Sequence, residues 1–600
     1  MFAIVALSAL ALTDWTAYGG GPEGTRFSPL QQIDRTNVGR LKEAWTVHHG
    51  DVRHFKDFKS PSAFQATPLV VDGTLYFPTP FNRVFAVDPV SGKVKWIYDP
   101  KTNQKNEAGD GFVSRGVAYW KDRKTGEARI LLCTVDARLI AVDAASGQQR
   151  FQVSLGEDVG AQYNGEYHVT SAPTVVNDVV VTGSAIDDNT RTKMSSGAVR
   201  GYDVRTGKLL WRWEPIPGEK NAGAANAWST LSADPGRDMV FIPTGSASPD
   251  HWGGERPGEN RWANSVVALR ASTGEFLWGF QTTHHDLWDY DIASQPVLIE
   301  YKGKPAVLQA TKMGLLFVLD RLTGKPLIPV EERPVPKSDV PGEWTSPTQP
   351  FPVSPPPLVS IQPAKAWGVT PFDRSGCESR MQGLRNEGIY TPPSLQGTVM
   401  GPSIVGGSNW GSVAYDNASG MVYANTNHFI FRLQLVDRAK WDEMRKQFPE
   451  AEFNRMRGAP YGMMRQVIKS AIGMPCTEPP WGALSAIDLN KGEIKWQVPL
   501  GTTRDIAPVP VSFATGTPNL GGPMVTAGGL VFIGAAMDNY IRAFDVQSGK
   551  ELWTYRLPAG AQATPMTYSV NGKQYVVIAA GGHGKLKTTM GDSLIAFTLP

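Results

Sequence analysis

FAVDPVSGKVKW (Phe85–Trp96) is an apolar run, a turn of Asp, Ser and Gly, and a second run ending on an aromatic residue. The phrase returns as IAVDAASGQQRF (Ile140–Phe151), RGYDVRTGKLLW (Arg200–Trp211), VALRASTGEFLW (Val267–Trp278), FVLDRLTGKPL (Phe317–Leu327), SAIDLNKGEIKW (Ser485–Trp496) and RAFDVQSGKELW (Arg542–Trp553). VAYDNASGMVY (Val413–Tyr423) is a weaker copy. Short alternating runs around such a turn read as β-hairpins, with the Gly supplying the positive φ of a bulged turn. A lone hairpin cannot bury its apolar face. Copies spaced mostly about 50–70 residues apart leave room for about four strands each, the content of one propeller blade. Seven clear copies and one weak one predict an all-β chain, an eight-bladed β-propeller around a central channel. Trp96, Phe151, Trp211, Trp278, Trp496 and Trp553 are then expected to pack between blades.

The chain of 600 residues would by default be divided into several domains. A repeat architecture escapes that division, because each blade buries its faces against two neighbours. Residues 14–600 therefore read as one propeller domain. Gly 62 and Pro 46 fit its many turns, and Trp 18 its packing aromatics. With 59 basic against 56 acidic residues and no long basic run, nucleic acid is not an expected partner. Cys133, in ILLCTV, reads as a buried thiol. Cys377 and Cys476, in polar loop sequence, are the pair available for a disulfide in an oxidising compartment. No CxxC or CxxCH occurs, which leaves haem c and a thiolate zinc site unsupported. Residues 1–13 form an apolar segment without a basic leader and too short to span a bilayer. It reads as a signal or the remnant of a membrane segment, and the chain as an exported, periplasmic protein.

Two stretches interrupt the repeat. Pro329–Leu358 has too many prolines for a helix or an inner strand and reads as a surface excursion. Between about residues 428 and 480, DRAKWDEMRKQF (Asp437–Phe448) and EAEFNRMRG (Glu450–Gly458) are predicted to be helical, in an insertion over one face. The insertion is a candidate lid or a decorated loop. EAWTV (Glu43–Val47) and LIAFTL (Leu594–Leu599) are both strand-like, so the last blade is expected to close with strands from both ends of the chain.

Four clusters carry polar chemistry. HHDLWDYD (His284–Asp291) packs three acids and two imidazoles into eight residues. Lys312, in the turn TKMG, follows the strand-like PAVLQAT. GSAIDDNTR (Gly183–Arg191) places Asp187 and Asp188 just after DVVVTG. GSNWGS (Gly407–Ser412) sets Asn409 beside Trp410 in a Gly-rich turn. Each alone reads as a hydrogen-bonded or solvated turn. At strand ends on different blades they would converge at one mouth of the channel, where hard oxygen ligands suit Ca²⁺ or a similar cation. A carboxylate beside such a cation can act as a base.

The chain resembles the pyrroloquinoline quinone (PQQ)-dependent dehydrogenases, most closely the membrane glucose and quinate dehydrogenase branch, from DWTAYGGGPEGTRFSPL (Asp14) to its end. The stretches that carry the resemblance are RGVAY (Arg115–Tyr119), HHDLWDYD, TPPSLQGT (Thr391–Thr398), VTAGGLVFIGA (Val525–Ala535) and LPAGAQATPMTYSVNGKQYVVIAAGGHG (Leu557–Gly584). The resemblance implies PQQ and a divalent cation on the axis of an eight-bladed propeller. The metal polarises the quinone carbonyl, and an Asp removes the hydroxyl proton as hydride moves to the quinone. The protein supplies position and electrostatics. Substrates would be sugars, polyols, cyclic hydroxy acids or alcohols. The electron acceptor would be ubiquinone or a separate carrier, with peripheral attachment to the inner membrane as one arrangement. The competing reading is a non-catalytic propeller scaffold of the outer-membrane assembly type, which needs the Trp hairpins but not the polar clusters.

Carried over by position, Asp289 resembles the catalytic base, with Asp286 supporting it. Lys312 resembles the lysine that hydrogen-bonds the quinone oxygens, and Arg115 the arginine that pairs with a PQQ carboxylate. Thr170 resembles a hydroxyl ligand of PQQ and Trp228 the floor under its ring. Asn409, with Trp410, resembles the amide near quinone and metal. Asp187 or Asp188 resembles the acidic metal-binding residue, to which Ser246, Asp289 and Asp291 add. Ca²⁺ is the expected ion, with a lanthanide or Mg²⁺ as alternatives. Several positions depart from the pattern. Gly109 and Asp110 stand where the alcohol-oxidising branch has adjacent cysteines, and Gly111 where the glucose branch has His. Gln65 replaces a glutamate, keeping a hydrogen bond but losing a charge. Ser246 replaces a metal-ligating asparagine. Asp291 marks lanthanide use in the alcohol branch but not in the sugar branch.

Overall fold

The repeated turns close in one way. Asp88 accepts at one carboxylate oxygen from the amides of Val90 and Ser91 and from the Ser91 hydroxyl. Asp203, Asp320 and Asp545 hold the matching groups of their own turns. The side chain thereby satisfies amides that no strand partner reaches. One residue before the turn the ladder slips, between Ala86 and Val87 in the first copy, a bulge that sharpens the twist. Residues 14–105, 108–156, 165–218, 222–506 and 512–600 are described by the structure, a computed structural model. The apolar segment 1–13 lies outside them.

The aromatic residue of each copy docks on the turn of the next. Trp96 Nε1 donates to Ala144 O at 3.1 Å, Trp211 to Ala271 O at 2.8 Å, Trp278 to Arg321 O at 3.0 Å and Trp496 to Val546 O at 3.1 Å. A Cβ on Gly324 would stand 2.4 Å from the Trp278 ring, and Gly324 has φ 68°. Glycine is required there both for the backbone and to let the indole lie flat. Phe151 takes the same seat over Gly207. Trp553 packs edge-on against Phe597, with ring centroids 5.4 Å apart. Trp45, which the repeat did not reveal, covers Gly92 and donates to Pro89 O at 3.0 Å.

The fold is a β-propeller of antiparallel meanders. Leu69–Val71, Thr74–Pro78, Val84–Val87 and Val94–Tyr98 form the first, in sequence order. The first strands of successive sheets neighbour one another: Ala118–Lys121, Thr174–Val176, Ser232–Asp234, Val297–Tyr301, Val413–Asp416 and Met524–Thr526. They form the inner wall. The last sheet, Met566–Val570, Lys573–Ala580 and Ser593–Thr598, is completed by Lys42–His48 from the other end of the chain, pairing antiparallel with Ser593–Thr598. The expected two-ended closure is therefore present.

The excursion at 329–358 is a two-stranded hairpin, Val330–Pro334 with Thr348–Pro352. The insertion is mostly sheet. Thr398–Met400, Phe431–Asp437, Tyr461–Val467 and Glu452–Asn454 pair in that order. The first predicted stretch is helical, a 3-10 turn at Arg438–Lys440 running into an α-helix at Trp441–Gln447. The second, Glu450–Gly458, is not helical. Glu452–Asn454 runs as a strand against Met463–Arg465, because cross-strand pairing with the longer hairpin outweighs local helix propensity. A helix at Pro371–Met381, capped by Thr370 and started by Pro371, went unread. It is tied to the insertion by the Cys377–Cys476 disulfide. Cys133 is a buried free thiol, as expected.

Candidate active site

Two sets of loops meet at one mouth of the ring. Gln65, Arg115, Trp228, Asn409 and Leu520 precede the innermost strands of five sheets by three or four residues, and Asp289 and Asp291 precede that of a sixth. Asp187, Asp188, Lys312 and Lys585 sit between second and third strands. All of them line a cavity of about 410 Å³. Side chains from separate sheets thus converge because equivalent loop positions repeat around the ring.

Lys312 is the hub. Its Nζ donates to Asp289 Oδ1 at 2.6 Å, to the Asp289 carbonyl at 2.8 Å and to Asp291 Oδ2 at 2.9 Å. Those two carboxylates push its pKa up against the effect of burial, so it stays an ammonium. Asp291 is saturated by protein donors: Ser246 N at 2.6 Å on Oδ1, and Lys312 with Trp228 Nε1 at 3.2 Å on Oδ2. Burial opposes its ionisation, but Lys312 and these donors hold it below the usual carboxylate range. Asp289 differs. Burial raises it to about 7, against the pull of Lys312. Its φ is 62°, the left-handed region that Asp tolerates better than most residues. Asp286 is turned away from the cavity. It accepts from Trp288 N at 3.0 Å, Tyr290 N at 2.9 Å and Asn264 Nδ2 at 3.1 Å, and it holds the Ser246 hydroxyl. It therefore braces the turn that presents Asp289.

The imidazoles of HHDLWDYD take no part in the cavity. His284 meets Gln281 and Glu332; His285 meets Gly258 O at 2.6 Å and Glu343 at 3.3 Å. Both anchor the excursion at 329–358.

A second carboxylate group lies beside Asp289. Oxygen or nitrogen ligand atoms of Asp250, His251 and Asp289 fall within 4.8 Å of one another. Asp188 and Asp250 are both held well above the ordinary range, by burial first and then by repulsion within the group. Asn189 Nδ2 donates to Asp250 Oδ2 at 2.5 Å, while Asn189 Oδ1 and Asp250 Oδ1 are buried with no hydrogen-bond partner. His251 is held down to about 3 by burial and by Arg465, so its imidazole is neutral. Buried, mutually repelling oxygen donors with unused lone pairs fit a hard divalent cation. Ser246 Oγ faces Asp286 rather than this group.

Arg115 forms the other end of the cavity. Its guanidinium lies 5.3 Å from the Trp228 ring centroid and 5.0 Å from that of Trp410. One nitrogen donates to Thr170 Oγ1 at 2.5 Å, behind the cavity wall, and Nε is buried without an acceptor. Gln65 Oε1 and His168 Nδ1 are likewise buried without partners. Asn409 is locked by Val405 O at 2.6 Å and Trp410 N at 2.8 Å. An arginine with no carboxylate partner and an unpaired Nε–H, between flat indoles, suits a planar, polyanionic ring compound, and PQQ is a planar tricarboxylate. The residues present therefore fit that group. At the Gly109–Asp110 position, Asp110 pairs with His168 at 3.3 Å and Lys585 at 3.3 Å.

Sequence reasoning missed Asp250, His251, Asn189, Glu452, Arg465 and Lys585. Asp250 lies four residues after Ser246, in PTGSASPD (Pro243–Asp250), and its acid was the available signal. Arg465 lies in a stretch with no polar motif, and only the pairing of the insertion brings it inward.

Residues 15–576 match the family model "Glucose/ethanol/alcohol dehydrogenase, beta-propeller domain" of PQQ proteins. The chain is 40% identical over 636 residues to a quinoprotein glucose dehydrogenase of Escherichia coli, covering 99% of this chain and 80% of that one. It is 38% identical over 643 residues to a quinate/shikimate dehydrogenase (quinone) of Acinetobacter baylyi, covering 98% and 79%. It is 39% identical over 636 residues to a glycerol dehydrogenase large subunit of Gluconobacter oxydans, covering 98% and 85%. Among solved structures, the quinohemoprotein alcohol dehydrogenase of Comamonas testosteroni superposes with a TM-score of 0.71 at 25% identity, over 98% of this chain and 80% of that one. With this agreement from residue 15 to 576, the chain belongs to the PQQ-dependent quinoprotein dehydrogenases, oxidoreductases that act on CH–OH donors.

Proposed function

We propose that Asp289 is the general base of this dehydrogenase, that Lys312 and Asp291 fix it, and that PQQ lies against Trp228 and Trp410 with a carboxylate on Arg115. The observation that carries this reading is the convergence of Asp289 and Asp291, Lys312, and Arg115, from three separate loops, on one cavity. Gln65 and Asn409 complete the cofactor's surroundings, and Thr170 steadies Arg115 from behind the wall. When bound, PQQ supplies an o-quinone as two-electron acceptor. The substrate hydroxyl proton goes to Asp289 Oδ2, since Oδ1 is held tightly by Lys312 at 2.6 Å while Oδ2 has only the longer contact to Arg465 at 3.2 Å. Lys312 stays charged and keeps the Asp289 carboxylate oriented. Trp228 Nε1, through Asp291, holds the indole floor in register with the base. Burial raises Asp289 above an ordinary carboxylate, which is the direction a base operating near neutrality requires.

The cation is assigned to the group around Asp188, Asp250 and Asp289, with Asp187 at its edge, and Ca²⁺ is the ion proposed. Three protein donors already occupy Asp291, which argues against a lanthanide mode that would use its oxygens. The eight-blade count is supported by the seam at Lys42–His48 and by the run of inner strands. A disulfide between Cys377 and Cys476 supports an exported, periplasmic protein. No helix among the described residues is long and apolar enough to cross a membrane. Ubiquinone or a separate carrier is the proposed acceptor; the sequence has no CxxCH for haem c. A scaffold reading leaves the buried carboxylates around Asp250 without purpose.

The test is reconstitution with PQQ and Ca²⁺, and in parallel with Mg²⁺ and a lanthanide, followed by dye reduction with glucose, quinate, glycerol and simple alcohols. Asp289→Asn should abolish turnover and keep PQQ binding by absorbance titration. Absence of PQQ binding by the wild-type protein would sink the reading.

A further inference from the structure

Glu452 and Arg465 face each other directly across two paired strands of the insertion. Arg465 Nε and Nη2 meet Glu452 at 2.8 and 2.9 Å, a two-pronged contact. The remaining nitrogen, Nη1, reaches Asp289 Oδ2 at 3.2 Å and neutral His251 Nε2 at 3.4 Å. Asn454 Nδ2 holds Glu452 Oε1 from the same strand at 3.1 Å. Both side chains line the cavity, and they differ in depth: Arg465 is 12% exposed and Glu452 49%. The arm comes from the insertion and not from a propeller sheet. It touches the one oxygen of Asp289 that Lys312 leaves untouched. Its cation is already matched by Glu452 and Asp289, so it offers no free positive charge to a substrate. At the opening, Glu452, Asp110 and Lys585 face solvent; Lys585 pairs with Asp110 at 3.3 Å, which leaves Glu452 the acid there without a lysine partner.

Resting on the dehydrogenase reading above, we propose that this arm sets substrate choice. Arg465 is a positioning residue that aims Asp289 Oδ2. Glu452 accepts a hydrogen bond from a second hydroxyl of the substrate and repels substrates that carry a carboxylate. The preferred substrate is a neutral vicinal polyol, and a cyclic hydroxy acid is disfavoured.

The holoenzyme, loaded with PQQ and Ca²⁺, tests this with glycerol, ethanol and quinate as probes. Glu452→Gln should raise KM for glycerol about tenfold more than KM for ethanol, and should raise kcat/KM for quinate relative to glycerol. Arg465→Gln should lower kcat on all three about a hundredfold with little change in KM, and Arg465→Lys should recover at least a tenth of it. PQQ titration by absorbance and the thermal melt of the ion-free protein report whether either variant has lost its fold or cofactor site. Equal loss on glycerol and ethanol in Glu452→Gln would overturn the substrate role. A failure of Arg465→Lys to recover kcat, with PQQ binding intact, would overturn the positioning role. A wild-type enzyme that prefers quinate to glycerol would overturn the polyol assignment. A wild-type protein that binds no PQQ would instead remove the dehydrogenase reading beneath it.

Discussion

Lys312→Met keeps the apolar stem of the side chain and removes the ammonium that joins Asp289 to Asp291. The three contacts at 2.6, 2.8 and 2.9 Å vanish together, leaving two buried carboxylates facing each other. Removing one partner of a buried ion pair costs about 3–5 kcal/mol. With an unfolding entropy of about 2.1 cal/mol/K per residue, a chain of this length has roughly 1.3 kcal/mol/K. The melting temperature of the ion-free variant should therefore fall by about 2–4 °C at pH 7.5. The sign with pH follows from Asp289. Its folded pKa already lies above the ordinary value, and loss of the cation raises it further. Stability tied to a raised carboxylate is present at low pH and lost as pH rises through the folded value. The gap between variant and wild type should therefore narrow as pH is lowered from 8 to 5, because the variant's carboxylates take up protons. Scanning calorimetry of both ion-free proteins across that range is the assay, with dye-linked turnover of the loaded enzymes alongside, where a loss of about 10²–10³ in kcat is expected. A gap below about 1 kcal/mol, or one that stays constant with pH, would refute the argument that Lys312 compensates buried charge.

Ca²⁺ binding near neutral pH should release protons from Asp188, Asp250 and Asp289, all held above the ordinary range; titration calorimetry in two buffers of different ionisation enthalpy should give different apparent heats, and identical heats would exclude the assignment. Gly324→Val places a side chain where a Cβ would already stand 2.4 Å from the Trp278 ring, at φ 68°, so a loss of about 2–4 kcal/mol is expected in urea unfolding. Cys476→Ser opens a cross-link spanning 99 positions and should destabilise by up to about 4 kcal/mol, measured by melting with and without reductant; equal melting would show the bridge to be thermodynamically idle. Cys133, whose thiol burial pushes up to about 12, should react with a thiol reagent only after unfolding.

The hairpins were legible because everything that makes them is local: Asp88, Ser91 and Gly92 determine their own turn within five residues. Trp45 was not, because the turn it covers belongs to the next sheet and its own sheet is assembled from both chain ends. The polar residues before inner strands were legible only through family resemblance, yet their spacing repeats: Gln65, Trp228 and Asn409 each stand four residues before such a strand. Glu450–Gly458 misled because its charges at helical spacing serve a cross-strand ion pair instead. That error hid Arg465, whose contact with Asp289 depends on the strand register.

The seam has a consequence for the order of events in the cell. His48 meets Asp592, 544 positions along the chain, so the early and late strands of the last sheet join only after nearly all of the ring has been made. Closure of so distant a pairing is late and slow relative to the local hairpins. Gln65 follows the early strand of that seam by 17 residues and Lys585 precedes the late one by 8, and both line the same cavity. A molecule that touches both binds the sealed ring alone, and its binding free energy becomes resistance to unzipping at the seam. Loading and maturation are then a single event, and a chain clipped before Ser593 should lose its cavity together with its ends.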